Sequence, residues 1–254
     1  MDKKVCVVTG SSSGIGAATV RLYAERGWNV VVNFSREAAP AQAVADECRA
    51  LGATVLVVQA NVADDADCRR LADAVDKAFG RCDVLVNNAG TTKFVGARHL
   101  DGLDADDFQR IYAVNVVGAF QMVRALSPLL NKHPPAAVVN MSSIAASTGM
   151  GSSVAYAASK GALNALTLAL ARALGPAIRV NAIAPGLVDT PWLKQGLGDE
   201  RYAAAVTSYK ARAALAEIIT PEDVARAAWY LGVDAQKTSG EVLAVDAGAK
   251  LIPL

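Results

Sequence analysis

The sequence predicts one α/β domain of the doubly wound kind, a parallel sheet of about seven strands with helices on both faces. Three observations predict it. Short apolar runs recur along the whole chain, helical patterns separate most of them, and the first run leads straight into a glycine-rich turn. Such apolar runs, with helical patterns between most of them, suit a parallel sheet covered on both faces. At 254 residues, with 53% hydrophobic and 19% charged, the chain can bury a large core as one unit spanning 1–254. No linker, solenoid-period repeat or low-complexity tract interrupts it. Right-handed crossovers then place a ligand at the carboxyl ends of the strands.

Val5 to Val8 reads as the first strand and Thr9-Gly10-Ser11-Ser12-Ser13-Gly14-Ile15-Gly16 as the turn into a helix from Ala17 to Arg26. Gly10 permits the tight turn, Gly14 lets backbone come close to a pyrophosphate, and Gly16 allows close packing of helix on strand. The freed amides of the helix start favour an anion. Such a turn alone also closes ordinary βα units; at the head of repeated βα units it points to nucleotide binding. Strands follow at Val30 to Asn33, Thr54 to Ala60 and Val84 to Asn87. The last of these ends in Asn87-Asn88-Ala89-Gly90, a small polar turn able to approach a planar ring.

Asn115 interrupts the apolar helix Ile111 to Phe120. A buried amide needs partners, so it fits either a satisfied core group or one that bends the helix and binds a water. Ala137 to Met141 is the next strand, and Asn140-Met141-Ser142-Ser143 can deliver a hydroxyl to the same crevice, although serines are common at strand ends. Arg179 to Ala184 and Val242 to Val245 complete the sheet.

Tyr156-Ala-Ala-Ser-Lys160 stacks a phenol and an ammonium on one helical face. An ammonium about 4 Å from the hydroxyl favours the phenolate by up to about 4 kcal/mol at an effective dielectric of about 20. The tyrosine is thereby expected to reach the range a general acid/base needs. Taken alone, the pair also fits a solvated helix face.

Composition narrows the functional classes. A net charge of +1 argues against nucleic acid as the main partner, and no stretch of about twenty uninterrupted apolar residues suggests a membrane span. Met1-Asp2-Lys3-Lys4-Val5 runs directly into the first strand without a signal-peptide pattern, so the expected location is the cytoplasm. Cys6, Cys48, Cys68 and Cys82 form no C-x-x-C pair and read as buried structural thiols. His99 and His133 lie in expected loops without ligand spacing, so no metal site is expected.

Together these residues resemble the short-chain dehydrogenase/reductase family, over essentially the whole chain and in the family's order. The match comprises Thr9 to Gly16, Asn87 to Gly90, Asn115, a serine thirteen places before the tyrosine (156 − 143), Tyr156-x-x-x-Lys160, and Pro185-Gly186. In motif pattern the chain is most like NADP-dependent members of the 3-oxoacyl-acyl-carrier-protein-reductase type. The resemblance implies a Rossmann fold and hydride transfer between a nicotinamide and a carbonyl or secondary alcohol of a small molecule. In it Tyr156 protonates the carbonyl oxygen and Ser143 holds that oxygen, with Ser142 a neighbour turned away. Lys160 acidifies Tyr156 and binds the nicotinamide ribose, and Asn115 supports a water linking Lys160 to solvent. The implied cofactor set runs over Gly10, Ser12, Ser13, Gly14, Ile15 and Gly16, then Asn61 and Val62, Asn88, Ala89 and Gly90, Tyr156 and Lys160, and finally Pro185, Gly186, Val188 and Thr190.

Cofactor choice is read after the second strand, at Val32-Asn33-Phe34-Ser35-Arg36. Phe34 stands where NAD-preferring members carry an acid, and Arg36 with Ser35 can bond a 2′-phosphate. NADP(H) is favoured and NAD(H) remains open; Arg36 also fits a solvated helix start. Two departures from the family's pattern are Asn61-Val62 for Asp-Val and Asp246-Ala247-Gly248 for Asp-Gly-Gly. Asn61 is expected to retune an adenine contact and Ala247 to change local packing.

The segment Asp189 to Leu215 resembles the family's lid, with Thr190 near the nicotinamide carboxamide. It carries Trp192, Tyr202 and Tyr209 beside Lys194, Arg201, Lys210 and Arg212. The bases either grip an acidic substrate or are simply solvated, and Trp192 is the better candidate for an apolar pocket. A second reading is a 3-oxoacyl-[acyl-carrier-protein] reductase docking its carrier through Lys132 and Arg172, against which stands the uncharged turn Leu174 to Ile178. A third is a non-catalytic, NADP(H)-sensing binding protein. The helix Ala155 to Leu174 is apolar around much of its girth and wants cover on two sides. With Ala105 to Leu130 it suits a homotetramer or homodimer.

Overall fold

Seven parallel strands form one sheet in the computed structural model, which describes residues 3–251. They are β1 Val5–Val8, β2 Asn29–Phe34, β3 Val55–Gln59, β4 Val84–Asn87, β5 Ala136–Met141, β6 Ile178–Pro185 and β7 Val242–Val245. Their spatial order is β3-β2-β1-β4-β5-β6-β7. The chain reverses direction across the sheet between β1 and β4, so the loops after those strands part and open a crevice at their carboxyl ends.

Every predicted strand is present. The predicted helix after β1 starts earlier than expected, because Ala17 N already bonds Ser13 O at 3.2 Å. Successive strand side chains point to opposite faces, which splits the core in two. Cys6, Val8, Val30, Val32, Val84 and Val86 face α1 Gly14–Glu25, α2 Ala38–Ala50 and, further along the chain, the helix Pro221–Trp229. Val5, Val7, Val31 and Leu85 face α3 Asp65–Phe79 and two longer helices. All four cysteines are buried and free, as the spacing suggested.

The first long helix runs as α4 Ala105–Tyr112, a π turn Ala113–Val117 and α5 Gly118–Leu130. By length and composition this run could cross a membrane, yet half of its most apolar window is buried in the fold, where Met122, Leu126 and Leu130 pack on the sheet. After β5 come α6 Ala145–Thr148 and α7 Val154–Leu174. After β6 come α8 Pro191–Leu197, α9 Asp199–Arg212 and α10 Pro221–Trp229, the last running into a π turn Tyr230–Asp234.

One departure is conformational where a packing change was expected. Ala247 has φ of 51°, the left-handed region that costs an L-residue roughly 1–2 kcal/mol, so the family's glycine there reflects backbone geometry.

Candidate active site

The turn after β1 is a cradle built by buried amides. Asn33, at the end of β2, accepts from Gly10 N through Oδ1 at 3.0 Å, and its Nδ2 donates to Ala60 O at 3.0 Å and Val58 O at 3.2 Å. One side chain thus pins the glycine turn to the loop after β3. Ser11 Oγ donates to Val8 O at 2.8 Å and accepts Asn33 N at 3.0 Å. From the other side, Thr9 Oγ1 accepts Asn88 N and Ala89 N, both at 3.0 Å, and Asn88 Nδ2 donates to Thr9 O and Gly10 O, both at 2.9 Å.

Two glycines of the turn are there for space. A Cβ on Gly10, whose φ is 60°, would lie 2.9 Å from Ala89 Cα, and one on Gly16 would lie 2.6 Å from both Asn88 Nδ2 and Gly10 O. Gly16 therefore makes room for the neighbouring turn, a more specific reason than helix-on-strand packing. Ser12 is half-buried and Ser13 exposed, while Ile15 packs partly on the core. Ser13 is the N-cap of α1 without a side-chain capping bond, so the first amides of α1 stay available to an anion. That opening suits a pyrophosphate.

At the adenosine end, Phe34 is a correction. Its ring does not face the crevice; it is 8% exposed and packs in the core beside α2. No carboxylate replaces it at that position, and Ser35 and Arg36 are exposed just beyond, followed by the exposed Glu37. Asn61 is exposed, and its Oδ1 accepts Ala63 N at 3.2 Å. Val62 is buried against Gly118 of α5.

Ser153 Oγ accepts Tyr156 N at 3.2 Å and so caps α7. This places Tyr156 in the helix's first turn, where the positive end of the dipole favours a phenolate. Lys160, one turn on, is 4% exposed; its Nζ lies 5.4 Å from the Tyr156 ring centroid and donates to Met141 O at 2.7 Å. Ser143, just past β5, bonds Tyr156 through its side chain. Ser142 Oγ turns away, donating to Asn164 Oδ1 at 2.6 Å. Ser143, Tyr156 and Lys160 therefore meet at the end of β5, and Gly90 lies beside both Lys160 Nζ and Asn115 Oδ1.

Electrostatics correct one expectation. Burial pushes the Tyr156 phenol up to about 12, and the bond with Ser143 only partly offsets it. Burial also pulls Lys160 down to about 8. The ammonium is spent on the Met141 carbonyl and shares the tyrosine's desolvated surroundings, so it does not bring the phenol near neutrality here.

Asn115 is also more specific than expected. The helix does open there, into the π turn Ala113–Val117. The amide spends both its hydrogens and one lone pair: Oδ1 accepts Thr91 N at 2.8 Å, and Nδ2 donates to Thr91 O and Ser159 Oγ, both at 3.0 Å, which leaves one Oδ1 lone pair for a water.

The segment after β6 closes over this site. Pro185 O accepts Ile144 N at 3.0 Å, Gly186 N bonds Val245 O at 2.9 Å, and Val188 is buried in a parallel bridge with Ile219. Thr190 is the N-cap of α8 and rests against Gly14. Trp192, 44% exposed, lies 6.5 Å from the Tyr156 ring and 5.5 Å from Phe94. The other two aromatics serve structure: Tyr209 is buried and donates to Asp246 O at 2.6 Å, and Tyr202 donates to Asp189 Oδ1 at 2.6 Å. Lys194 pairs with Asp199 at 3.5 Å.

Sequence reasoning missed Asn33 and Phe94. Asn33 carries a usable signal, an amide that breaks the apolar run from Val30 to Phe34; Phe94 carries none, because its partners lie far along the chain. Among the described residues no cluster of metal-ligating side chains occurs.

The chain is similar to known proteins over nearly its whole length. The family described as enoyl-(acyl carrier protein) reductase matches residues 10–250. The granaticin polyketide synthase putative ketoacyl reductase 2 of Streptomyces violaceoruber is 41% identical over 251 residues, covering 99% of this chain and 98% of that one. A solved putative short-chain dehydrogenase/reductase from Burkholderia xenovorans is 41% identical with a TM-score of 0.91, covering 99% of both chains.

The chain belongs to the short-chain dehydrogenase/reductase family.

As a short-chain dehydrogenase/reductase it is an oxidoreductase acting on CH–OH and C=O groups, in a family that binds NAD(P)(H). The 3beta-hydroxysteroid dehydrogenase 1 of Eggerthella lenta, 36% identical over 259 residues, covers 98% of this chain and 95% of its own.

Proposed function

We propose that this protein interconverts a small-molecule ketone and its secondary alcohol with NADP(H), using Tyr156 as general acid/base. The observation that carries this is the meeting of Ser143, Tyr156 and Lys160 at the end of β5, beneath Trp192. When bound, the nicotinamide supplies or accepts the hydride. Tyr156 gives its proton to the oxygen on which negative charge develops, and Ser143 donates a hydrogen bond to the same oxygen. A phenol held near 12 is protonated at neutral pH, which suits carbonyl reduction. Lys160 holds the nicotinamide ribose and favours the phenolate left behind. The phenolate regains its proton from the Lys160 ammonium, and a water supported at Asn115, whose Oδ1 keeps one free lone pair, passes a proton from solvent back to Lys160.

The NADP preference rests on Arg36 and Ser35 beside the inward-turned Phe34, with Glu37 as the nearby acid that could instead serve a ribose hydroxyl. Arg36→Ala is expected to weaken NADPH roughly tenfold or more, the loss of a charge-assisted bond, and to leave NADH nearly unchanged. Equal loss for both cofactors would return Arg36 to the solvated helix start.

Residues 189–215 act as the substrate lid of a single nucleotide-binding domain. Relatives named as ketoacyl reductases and as a hydroxysteroid dehydrogenase support a ketone or secondary alcohol as substrate. The second reading, reduction of a 3-oxoacyl carrier-protein thioester, is supported by the FabG of Thermotoga maritima, 32% identical over 251 residues. It is weakened by the pairing of Lys132 with Asp76 at 2.8 Å, which leaves exposed Arg172 as the main base offered to a carrier. Exposed Leu168 on α7, with Phe108, Val117 and Phe120 on the neighbouring helical run, supports burial in a homotetramer or homodimer. The four free buried thiols accord with a reducing, cytoplasmic location.

The test is NADPH oxidation across small ketones, sugars, quinones and acyl thioesters. Turnover of a ketone with wild-type protein, unaffected by added acyl carrier protein, is expected. Turnover of carrier thioesters alone would favour the second reading, and no turnover of any carbonyl or alcohol would favour a cofactor-sensing protein.

A further inference from the structure

The loop after β4 is tethered on both sides of one aromatic residue. Thr91 is held by the Asn115 amide, and Thr92 Oγ1 bonds Ser152 Oγ at 2.6 Å. Lys93 Nζ donates to Asp107 Oδ2 at 2.6 Å, and Val95 N donates to Ser152 O at 2.8 Å. Asp107 is itself 8% exposed and closes the capping box of α4. Phe94, in the middle, is thus presented from a fixed base. Its ring lies 5.5 Å from the Trp192 ring and directly on Gly196, where a Cβ would come within 1.9 Å of Cε2, 2.3 Å of Cζ and 2.6 Å of Cδ2. Trp192 and Gly196 are four residues apart on α8 and so share one helical face. The ring fills a socket that only glycine leaves open.

We propose that Phe94 is a fixed post, with Gly196 its socket, that sets the closed position of α8 and thereby holds Trp192 as an apolar roof over Tyr156, making Phe94 a specificity-determining residue for carbonyls with a flat apolar flank. The substrate part rests on the carbonyl-reduction reading; the post and socket do not.

No side chain of α8 is buried, whereas α9 is anchored by buried Tyr209, so the ring contact bears chiefly on how often α8 opens. Lys194 and Arg201 lie in the lid and are exposed, which makes tryptic cleavage there a report on the open population. With full-length protein and saturating NADPH, Phe94→Ala is expected to speed that cleavage roughly two- to tenfold, as the loss of one aromatic contact predicts. Gly196→Ala should speed it as well, although alanine strengthens an isolated helix, because its methyl meets the ring. In the Phe94→Ala background the sign should invert: Gly196→Ala then slows cleavage, since nothing remains to clash with it. Cleavage of Gly196→Ala at the wild-type rate, or equal acceleration in both backgrounds, would overturn the post and socket.

The kinetic arm compares kcat/KM for acetophenone with that for acetone. A fall of that ratio in both single variants is expected, and an unchanged ratio would overturn the specificity role. If no carbonyl of the wider panel is reduced while the cleavage pattern holds, the carbonyl reading fails and the post and socket stand.

Discussion

The cradle around β1 and the lid after β6 solve opposite problems. In the cradle, Asn33, Asn88, Thr9 and Ser11 spend their polar atoms on backbone groups of three different loops. The turn that faces the cofactor is therefore over-determined. The lid is attached by fewer contacts, among them Tyr209 to Asp246, Leu215 to Ala247, and Phe94 to α8. Over-determination suits a ligand common to a family, and sparse attachment suits a surface that must change with the substrate. The difference explains why the reaction class is firm and the substrate open.

The contrast is broken most severely in the cradle. Asn33→Ala strips buried partners from Gly10 N and Ala60 O, each costing about 1–3 kcal/mol. A loss of roughly 3 to 5 kcal/mol in chemical denaturation is expected, together with weaker binding of either cofactor. A loss under about 1 kcal/mol would mean that water replaces the amide without penalty.

A middle effect lies between the two regions, at Lys160. Its folded pKa of about 8 lies below the unfolded value near 10.4, so between those values the unfolded chain holds more protons and stability rises with pH. The cost of burying the ammonium is complete below about 8 and fades towards 10. Lys160→Met should therefore raise stability by about 1 to 3 kcal/mol at pH 7, with a gain that shrinks over that window while activity is lost. A gain that grows with pH would contradict the assignment. In wild type, kcat/KM for carbonyl reduction should fall as pH passes about 8, where the ammonium loses its proton. Lys160→Arg keeps the charge and should move that fall upward by a unit or more.

The smallest effect sits where the lid meets β7. Ala247→Gly removes the left-handed strain of an alanine whose carbonyl accepts Leu215 N at 3.0 Å. Glycine's greater unfolded-state freedom offsets part of that gain, so stabilisation of at most about 1 kcal/mol is expected in thermal melts.

These regions also differ in how well they could be read in advance. Strands of a parallel sheet covered on both faces leave mostly apolar runs, so all seven were legible, and the spacing of Ser143, Tyr156 and Lys160 reflects one helix packed on one strand end. Asn33 was visible only as a polar interruption in β2, because its worth lies in loops that contact order brings together later. The inward turn of Phe34, the burial of Tyr209 and the sign of φ at Ala247 depend on tertiary packing that no local pattern encodes. Likewise the spacing of the tyrosine and lysine pair gives their proximity and says nothing about how much burial opposes ionisation.

The central claim, that Tyr156 moves the proton while the cradle holds the cofactor independently of it, is tested most directly by Tyr156→Phe. Turnover and NADPH affinity should be measured on the same preparation, with affinity read from nicotinamide fluorescence. The account predicts a fall in kcat of roughly 10² to 10⁴, with a dissociation constant within about twofold of wild type. Retention of more than about a tenth of the wild-type rate would contradict it.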